Sequence, residues 1–141
     1  AHEVLSYEHS PNETSYGLEA ADKLCLSPAQ VFKTLVTDCS GTLVVALIPV
    51  AHSLNLKALA KAIGTKKACM ASPQMVQNKT GYVLGGVSPL GQKTRLKTVI
   101  DQSARALDQM YISAGKRGLE VALRPADLSY LCSAQWLDIT I

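Results

Sequence analysis

The chain has 141 residues, 48% hydrophobic and 18% charged, with a formal net charge of +3. That composition describes one domain with its own apolar core, and it excludes a disordered tail and a scaffold that needs disulfides or metal to fold. The weak positive balance permits an RNA partner without requiring one.

The chain opens inside an apparent strand, "HEVLSY", so further natural sequence is expected upstream. "EVLSYEH" is that first strand. "SYGLEAADKLCL" has helical spacing, with Leu18, Ala21, Leu24 and Cys25 on one face. "SPAQ" carries two helix-start signals: Ser27 and Gln30 can form a capping box, and Pro28 sits at the first helical position. "VFKTLVTD" and "TLVVALIPV" are strands around a Cys39-Ser40-Gly41 turn, so they should pair as a hairpin. The second is nearly all apolar, the mark of a strand buried on both faces. "LNLKALAKAIG" is an amphipathic helix with Leu56, Leu59, Ala60 and Ile63 inward and Gly64 at its end. "KKACMA" is a short strand. "SPQMVQNKTG" is a helix capped by Ser72 with Pro73 next. "YVLGG" reads as a strand running into a glycine-rich loop. "TVID" and "QMYISAG" are strands, "GKRG" is a turn, and "LEVALR" returns from it. "PADLSYLCSA" is a last helix opened by Pro125, and "WLDIT" a last strand.

About eight short strands alternate with about four short helices, with hairpins mixed among helical crossovers. The fold class is α/β with a mixed sheet, one that could be closed, in a single domain. The four cysteines, Cys25, Cys39, Cys69 and Cys132, have neither zinc-site spacing nor a disulfide framework, and read as reduced core residues. The longest apolar run, "TLVVALIPVA", is strand-sized and too short to span a membrane. A cytoplasmic protein is expected.

No nucleophile motif stands out. The three histidines, His2, His9 and His52, have no nucleophile beside them in sequence, and GxSxG and HExxH are absent. Lys33 lies mid-strand, sharing a face with Val31 and Leu35. A lysine in a central strand is costly unless its ammonium meets an anion or a cavity; on an edge strand it would reach water along its own stem. Gly85-Gly86, with Ser88-Pro89-Leu90-Gly91 after them, leave backbone amides bare. Such amides can hold a carbonyl oxygen, a developing oxyanion or a phosphate, and equally the glycines can serve turns of positive φ. Ser113 ends a strand of the same style, and Glu120 would come close to it if "GKRG" closes a hairpin; an exposed strand carboxylate is the plainer alternative. Basic residues gather at Lys66-Lys67, at Lys93, Arg95 and Lys97, and at Lys116-Arg117, where solvated turns are the simplest reading.

Five segments, "YEHSPNETSYG", "VFKTLV", "GTKKACMASP", "TGYVLGGVSPLGQKTRLKTVID" and "YISAGKRGLEVALRPADL", occur in this order in the YbaK family, which the chain resembles over nearly its whole length. Family members are bacterial Cys-tRNA(Pro) deacylases, related to the editing domain inserted in many bacterial prolyl-tRNA synthetases. The resemblance implies a curved, barrel-like mixed sheet with flanking short helices, preceded by one more N-terminal helix. It implies trans-editing of tRNA(Pro) charged in error with cysteine, in partnership with prolyl-tRNA synthetase, with no cofactor or metal and no DNA or membrane partner. Such a corrector is needed because a small apolar pocket rejects near-isosteres by only about 1–3 kcal/mol.

By the same resemblance Lys33 is the lysine on which activity depends, holding the terminal adenosine's phosphate or the ester end, with Thr34 beside it. Tyr7 and Tyr16 line the pocket. Gly85 and Gly86 offer backbone donors to the substrate carbonyl. Ser113 lies in the pocket, and Glu120 occupies an acidic position that is Asp in some relatives. Lys93, Arg95 and Lys97 form a candidate tRNA-binding face. The implied chemistry is substrate-assisted, with the cysteine thiol attacking its own ester to give a thiolactone. An Ala-tRNA(Pro) deacylase and a non-catalytic module for an aminoacyl-adenosine or RNA are the alternatives.

Overall fold

The computed structural model describes residues 2–141, and its centre is the hairpin of β2 (Phe32–Cys39) and β3 (Thr42–Pro49). Ser40 and Gly41 both take positive φ, 51° and 97°. This backbone lets a two-residue turn match the twist of its strands. The Asp38 carboxylate braces the turn by accepting the Gly41 N–H at 2.8 Å. Register then runs from Cys39 opposite Thr42 to Phe32 opposite Pro49. β3 is apolar on both faces because both are covered: Val45 and Leu47 enter one core cluster, and Val44, Ala46 and Ile48 another.

The remaining strands are β1 (His2–Ser6), β4 (Ala68–Met70), β5 (Lys97–Asp101), β6 (Met110–Ser113), β7 (Leu119–Leu123) and β8 (Gln135–Leu137). They form two sheets. One is a five-stranded mixed sheet of order β4-β2-β3-β5-β8, in which β5 lies parallel to β3 and β8. The other is three-stranded and antiparallel, of order β1-β7-β6. Among the described residues a single bridge, Val31 to Tyr111, connects them, with Tyr111 N–H donating to Gln30 O at 3.0 Å. The mixed α/β class read from the sequence is the class of the fold. The expected barrel-like curvature is instead divided between two sheets that do not close. Between them lies the main core, including Phe32, Leu47, Ile100, Met110, Ile112 and Leu128.

Four α-helices flank the sheets: α1 (Tyr16–Lys23), α2 (Leu56–Ile63), α3 (Pro73–Thr80) and α4 (Pro125–Cys132). The end signals of α3 act as read: Ser72 Oγ accepts the Met75 N–H at 3.2 Å, Pro73 opens the helix, and Gly81 closes it at φ 83°. α2 ends at Gly64 with φ 85° and buries Leu59 and Ala60. No helix among the described residues is long and apolar enough to cross a membrane.

Several local expectations fail, each for a tertiary reason. "SPAQ" is a turn, with Gln30 N–H bonded to Ser27 O at 2.9 Å; Val31 is already engaged by Val50 N–H at 2.8 Å, so the chain must extend there. "YVLGG" joins neither sheet. It folds on itself instead, with Tyr82 Oη donating to Leu90 O at 2.6 Å and Gly86 N–H to Val83 O at 3.0 Å. α1 buries Glu19, Ala20 and Ala21, whereas Leu18 is 48% exposed. All four cysteines are free thiols, but only Cys39 is fully buried; Cys25 and Cys69 are exposed.

Candidate functional site

A cavity of about 360 Å³ opens where the first turn of α1, the first half of β2, the facing ends of β6 and β7 and the glycine loop meet. β4 pairs with β2 only along Thr37–Cys39, so on that side the backbone of Lys33 to Leu35 is paired with no strand. Of the two environments that strand alternation allows for Lys33, the structure has the cavity. Lys33 is half-buried, and its ammonium makes no ion pair among the described residues. Burial holds its pKa below the ordinary lysine value.

Ser113 and Glu120 are ladder partners in the β6–β7 hairpin, and both line the cavity. Glu120 is 5% exposed, so the exposed-carboxylate alternative fails. Burial pushes its pKa up to about 7. It forms no ion pair with Lys33 although both border the same space. Thr34 Oγ1 and Ser113 Oγ are buried without hydrogen-bond partners. Buried polar atoms are nearly always satisfied, so unmet ones grouped at one cavity are suited to a polar ligand.

α1 comes close because residue 17 is glycine: a Cβ there would lie 2.3 Å from Val50 Cγ1. Tyr16, Gly17 and Leu18 line the cavity there, bringing first-turn N–H groups that have no acceptor within the helix, whereas the Thr14 and Ser15 N–H groups donate to Glu13 Oε1 at 3.0 and 2.8 Å. That helix end favours partial negative charge.

The two glycines of the loop separate in function. Gly85 borders the cavity and takes φ 86°; a Cβ on it would meet the Tyr16 ring at 2.7 Å and Arg117 Nε at 2.8 Å. Its conformation and its surroundings both demand glycine. Gly86 is not in the wall, and its N–H is consumed by Val83 O. A Cβ on Gly86 would sit 2.7 Å from Lys116 Cα, so its bareness serves packing on the Lys116-Arg117 turn. Gly86 is therefore not placed to donate to a ligand in the cavity.

Tyr16 lines the cavity and Tyr7 does not. Burial raises the Tyr7 pKa; the Gly118 backbone opposes the shift, and the Glu120 and Glu19 charges add to it. Lys93, Arg95 and Lys97 are exposed and lie outside the cavity wall, with Arg95 Nη2 donating to Ser133 Oγ at 2.9 Å.

Two features of the site have little signal in the sequence. Arg117 stacks on the Tyr16 ring, 4.2 Å from its centroid, and donates Nε–H to Leu84 O at 2.9 Å. Its only sequence signal was the Lys116-Arg117 pair. Glu19, 5% exposed, meets His9 Nδ1 at 2.5 Å, Lys23 Nζ at 3.1 Å and the Ser10 N–H at 2.8 Å. Burial pushes its carboxyl pKa up, but these partners outweigh that and hold it below the ordinary value. The His9 ring lies 5.8 Å from Tyr16. Only the Glu19–Lys23 spacing of four hinted at the cluster.

The cavity wall contains neither histidine nor cysteine. It offers an ammonium, hydroxyls, a backbone turn and a carboxyl that exchanges its proton near neutrality. Such a site can hold and polarise an acyl group, and it lacks a nucleophile paired with its own base. Among the described residues no cluster of three His, Cys, Asp or Glu side chains is arranged to hold a metal.

The family model of the aminoacyl-tRNA editing domain matches residues 11–131. The chain is 38% identical over 136 residues to the Enterococcus faecalis "Putative Cys-tRNA(Pro)/Cys-tRNA(Cys) deacylase EbsC", covering 95% of this chain and 83% of that protein. It is 29% identical over 115 residues to a proline–tRNA ligase of Trichlorobacter lovleyi, covering 81% of this chain and 20% of the ligase. The fold matches a crystal structure described as "a putative trans-editing enzyme for prolyl tRNA synthetase" with a TM-score of 0.88 at 24% identity, covering 99% of this chain and 87% of that one. This chain belongs to the aminoacyl-tRNA editing-domain family, of the YbaK type to which its sequence motifs pointed.

Proposed function

We propose that this protein is a trans-editing aminoacyl-tRNA deacylase whose substrate is Cys-tRNA(Pro). Membership of the editing-domain family supports the deacylase activity. Cysteine as the preferred aminoacyl group is supported by the name of the Enterococcus relative. The likeness to a fifth of a proline–tRNA ligase supports a working partnership with prolyl-tRNA synthetase; the cytoplasm is the compartment that such a partnership implies.

The observation that carries this reading is the unmet polarity of one cavity in which no side-chain nucleophile is hydrogen-bonded to a base. Lys33, Thr34, Ser113 and Glu120 all border it, with Thr34 Oγ1 and Ser113 Oγ lacking partners. In the proposed reaction the substrate brings the nucleophile. The cysteine sulfur attacks the ester carbonyl carbon, an S–C bond forms, and the bond from that carbon to the ribose oxygen breaks. The thiol proton passes to the departing ribose hydroxyl. Cysteine leaves as a thiolactone, which water opens to the free amino acid. The protein contributes orientation, worth a large share of such a barrier. Lys33 and the backbone at Gly85 stabilise charge growing on the carbonyl oxygen. Glu120, with a pKa of about 7, takes up and releases a proton with nearly equal ease at neutral pH, which suits it to carry the thiol proton across.

Cys-tRNA(Pro) and Ala-tRNA(Pro), offered in parallel, test the reading. Cysteinyl ester should be cleaved much faster, because alanine has no thiol. Equal rates would show that the cysteine preference and the thiolactone route are both wrong.

A further inference from the structure

Under this reading the aminoacyl end enters the cavity, and the phosphodiester beside the terminal nucleoside comes to lie at its mouth. Lys33 is inside. At the rim stands Arg117, exposed, with one guanidinium face on Tyr16 at 4.2 Å and its Nε–H committed to Leu84 O at 2.9 Å. Tyr16 and Leu84 are themselves parts of the cavity wall. Among the described residues no carboxylate pairs with Arg117, and its Nη groups make no hydrogen bond. The loop packs against it so tightly that Gly85 admits no Cβ beside Nε.

A guanidinium held this way presents its remaining N–H edge in a fixed direction. That fork is the group best matched to two phosphate oxygens. Stacking and the Leu84 hydrogen bond order the side chain before any ligand arrives, so binding loses little rotamer freedom. A residue that merely tied the loop to α1 would need no unpaired charge.

We infer that Arg117 is a phosphate-binding residue at the cavity mouth, gripping the phosphodiester next to the aminoacylated nucleoside. The inference rests on the deacylase reading and adds how the RNA end is seated. The test compares Cys-tRNA(Pro) with 3′-O-cysteinyl-adenosine, which has no phosphate, on wild type, Arg117→Gln and Arg117→Lys. Arg117→Gln should lower kcat/KM on the tRNA about tenfold more than on the adenosine ester, mainly through KM. It should also reduce the slope of log kcat/KM against log salt by about 0.7, the value for one single-strand phosphate. Arg117→Lys should restore the salt slope and only part of the rate, since it keeps the charge and loses the fork. Equal losses on both substrates, or an unchanged salt slope, would overturn the inference and leave Arg117 as a packing clamp. Wild-type protein that cleaves neither substrate would instead overturn the deacylase reading, and this inference with it.

Discussion

Glu19 and Glu120 are each 5% exposed, yet the molecule treats them in opposite ways. Glu19 is ringed by His9, Lys23 and the Ser10 amide, and its pKa is held low. Glu120 borders a cavity without an ionic partner, and its pKa rises to about 7. Burial is the same; satisfaction is not. A buried carboxylate with its partners in place stabilises the fold. One left bare costs stability, and a fold tolerates that cost where a ligand will complete the site.

The largest effect expected from this contrast is on Lys33, the cation on the bare side. Lys33→Ala should reduce deacylation by about 10²-fold or more with the thermal unfolding midpoint nearly unchanged. Retained hydrolysis would remove Lys33 from the mechanism. Next, Glu19→Gln should destabilise by about 2–3 kcal/mol in urea titration, with activity falling only as far as the folded fraction falls. Glu120→Gln should do the reverse: deacylation drops, while stability at pH 8 holds or rises by up to about 3 kcal/mol. If both variants lose stability equally, the contrast is broken.

The two carboxyls also respond to pH with opposite signs. The Glu120 pKa is raised in the folded state, from an ordinary 4.5 to about 7. Its contribution is greatest below the unfolded value and is lost as pH rises toward 7. The Glu19 pKa is lowered, so its contribution is present above the unfolded value and is lost as pH falls. Between about pH 5 and 8 the unfolding midpoint should therefore decline in wild type and stay flatter in Glu120→Gln. The smallest effect concerns the distant basic face. Replacing Lys93, Arg95 and Lys97 together with Gln should flatten the salt dependence of tRNA binding by about 0.7 for each phosphate no longer neutralised. An unchanged slope would remove that face from the RNA path.

Legibility followed the range of the forces. The β2–β3 hairpin and the caps of α3 rest on residues a few positions apart, and local pattern revealed them. Ser113 and Glu120 could be paired from sequence only through the assumption that "GKRG" closes a hairpin, which it does. Lys33 could be placed on a strand but not in a cavity, because β4 stops short of it, and no local pattern records where a neighbour ends. "YVLGG" has strand-like residues but pairs with no strand, and its Tyr82 hydroxyl finds Leu90 instead. Arg117 reaches Leu84 across 33 positions, and His9 meets Glu19 across 10. Interactions of that span leave no periodicity to read.

Gly17 and Val50 set the headroom of the chamber. A methyl group at 17 would drive Val50 and the helix apart, since its carbon would fall 2.3 Å from Val50 Cγ1. Trimming Val50 to alanine removes the 2.3 Å clash, leaves a tight 3.2 Å contact at its Cβ, and enlarges the cavity without touching a polar group. A chamber retuned for a bulkier ligand is thus best engineered from this apolar pair, where the space can change while Lys33, Ser113 and Glu120 stay in place.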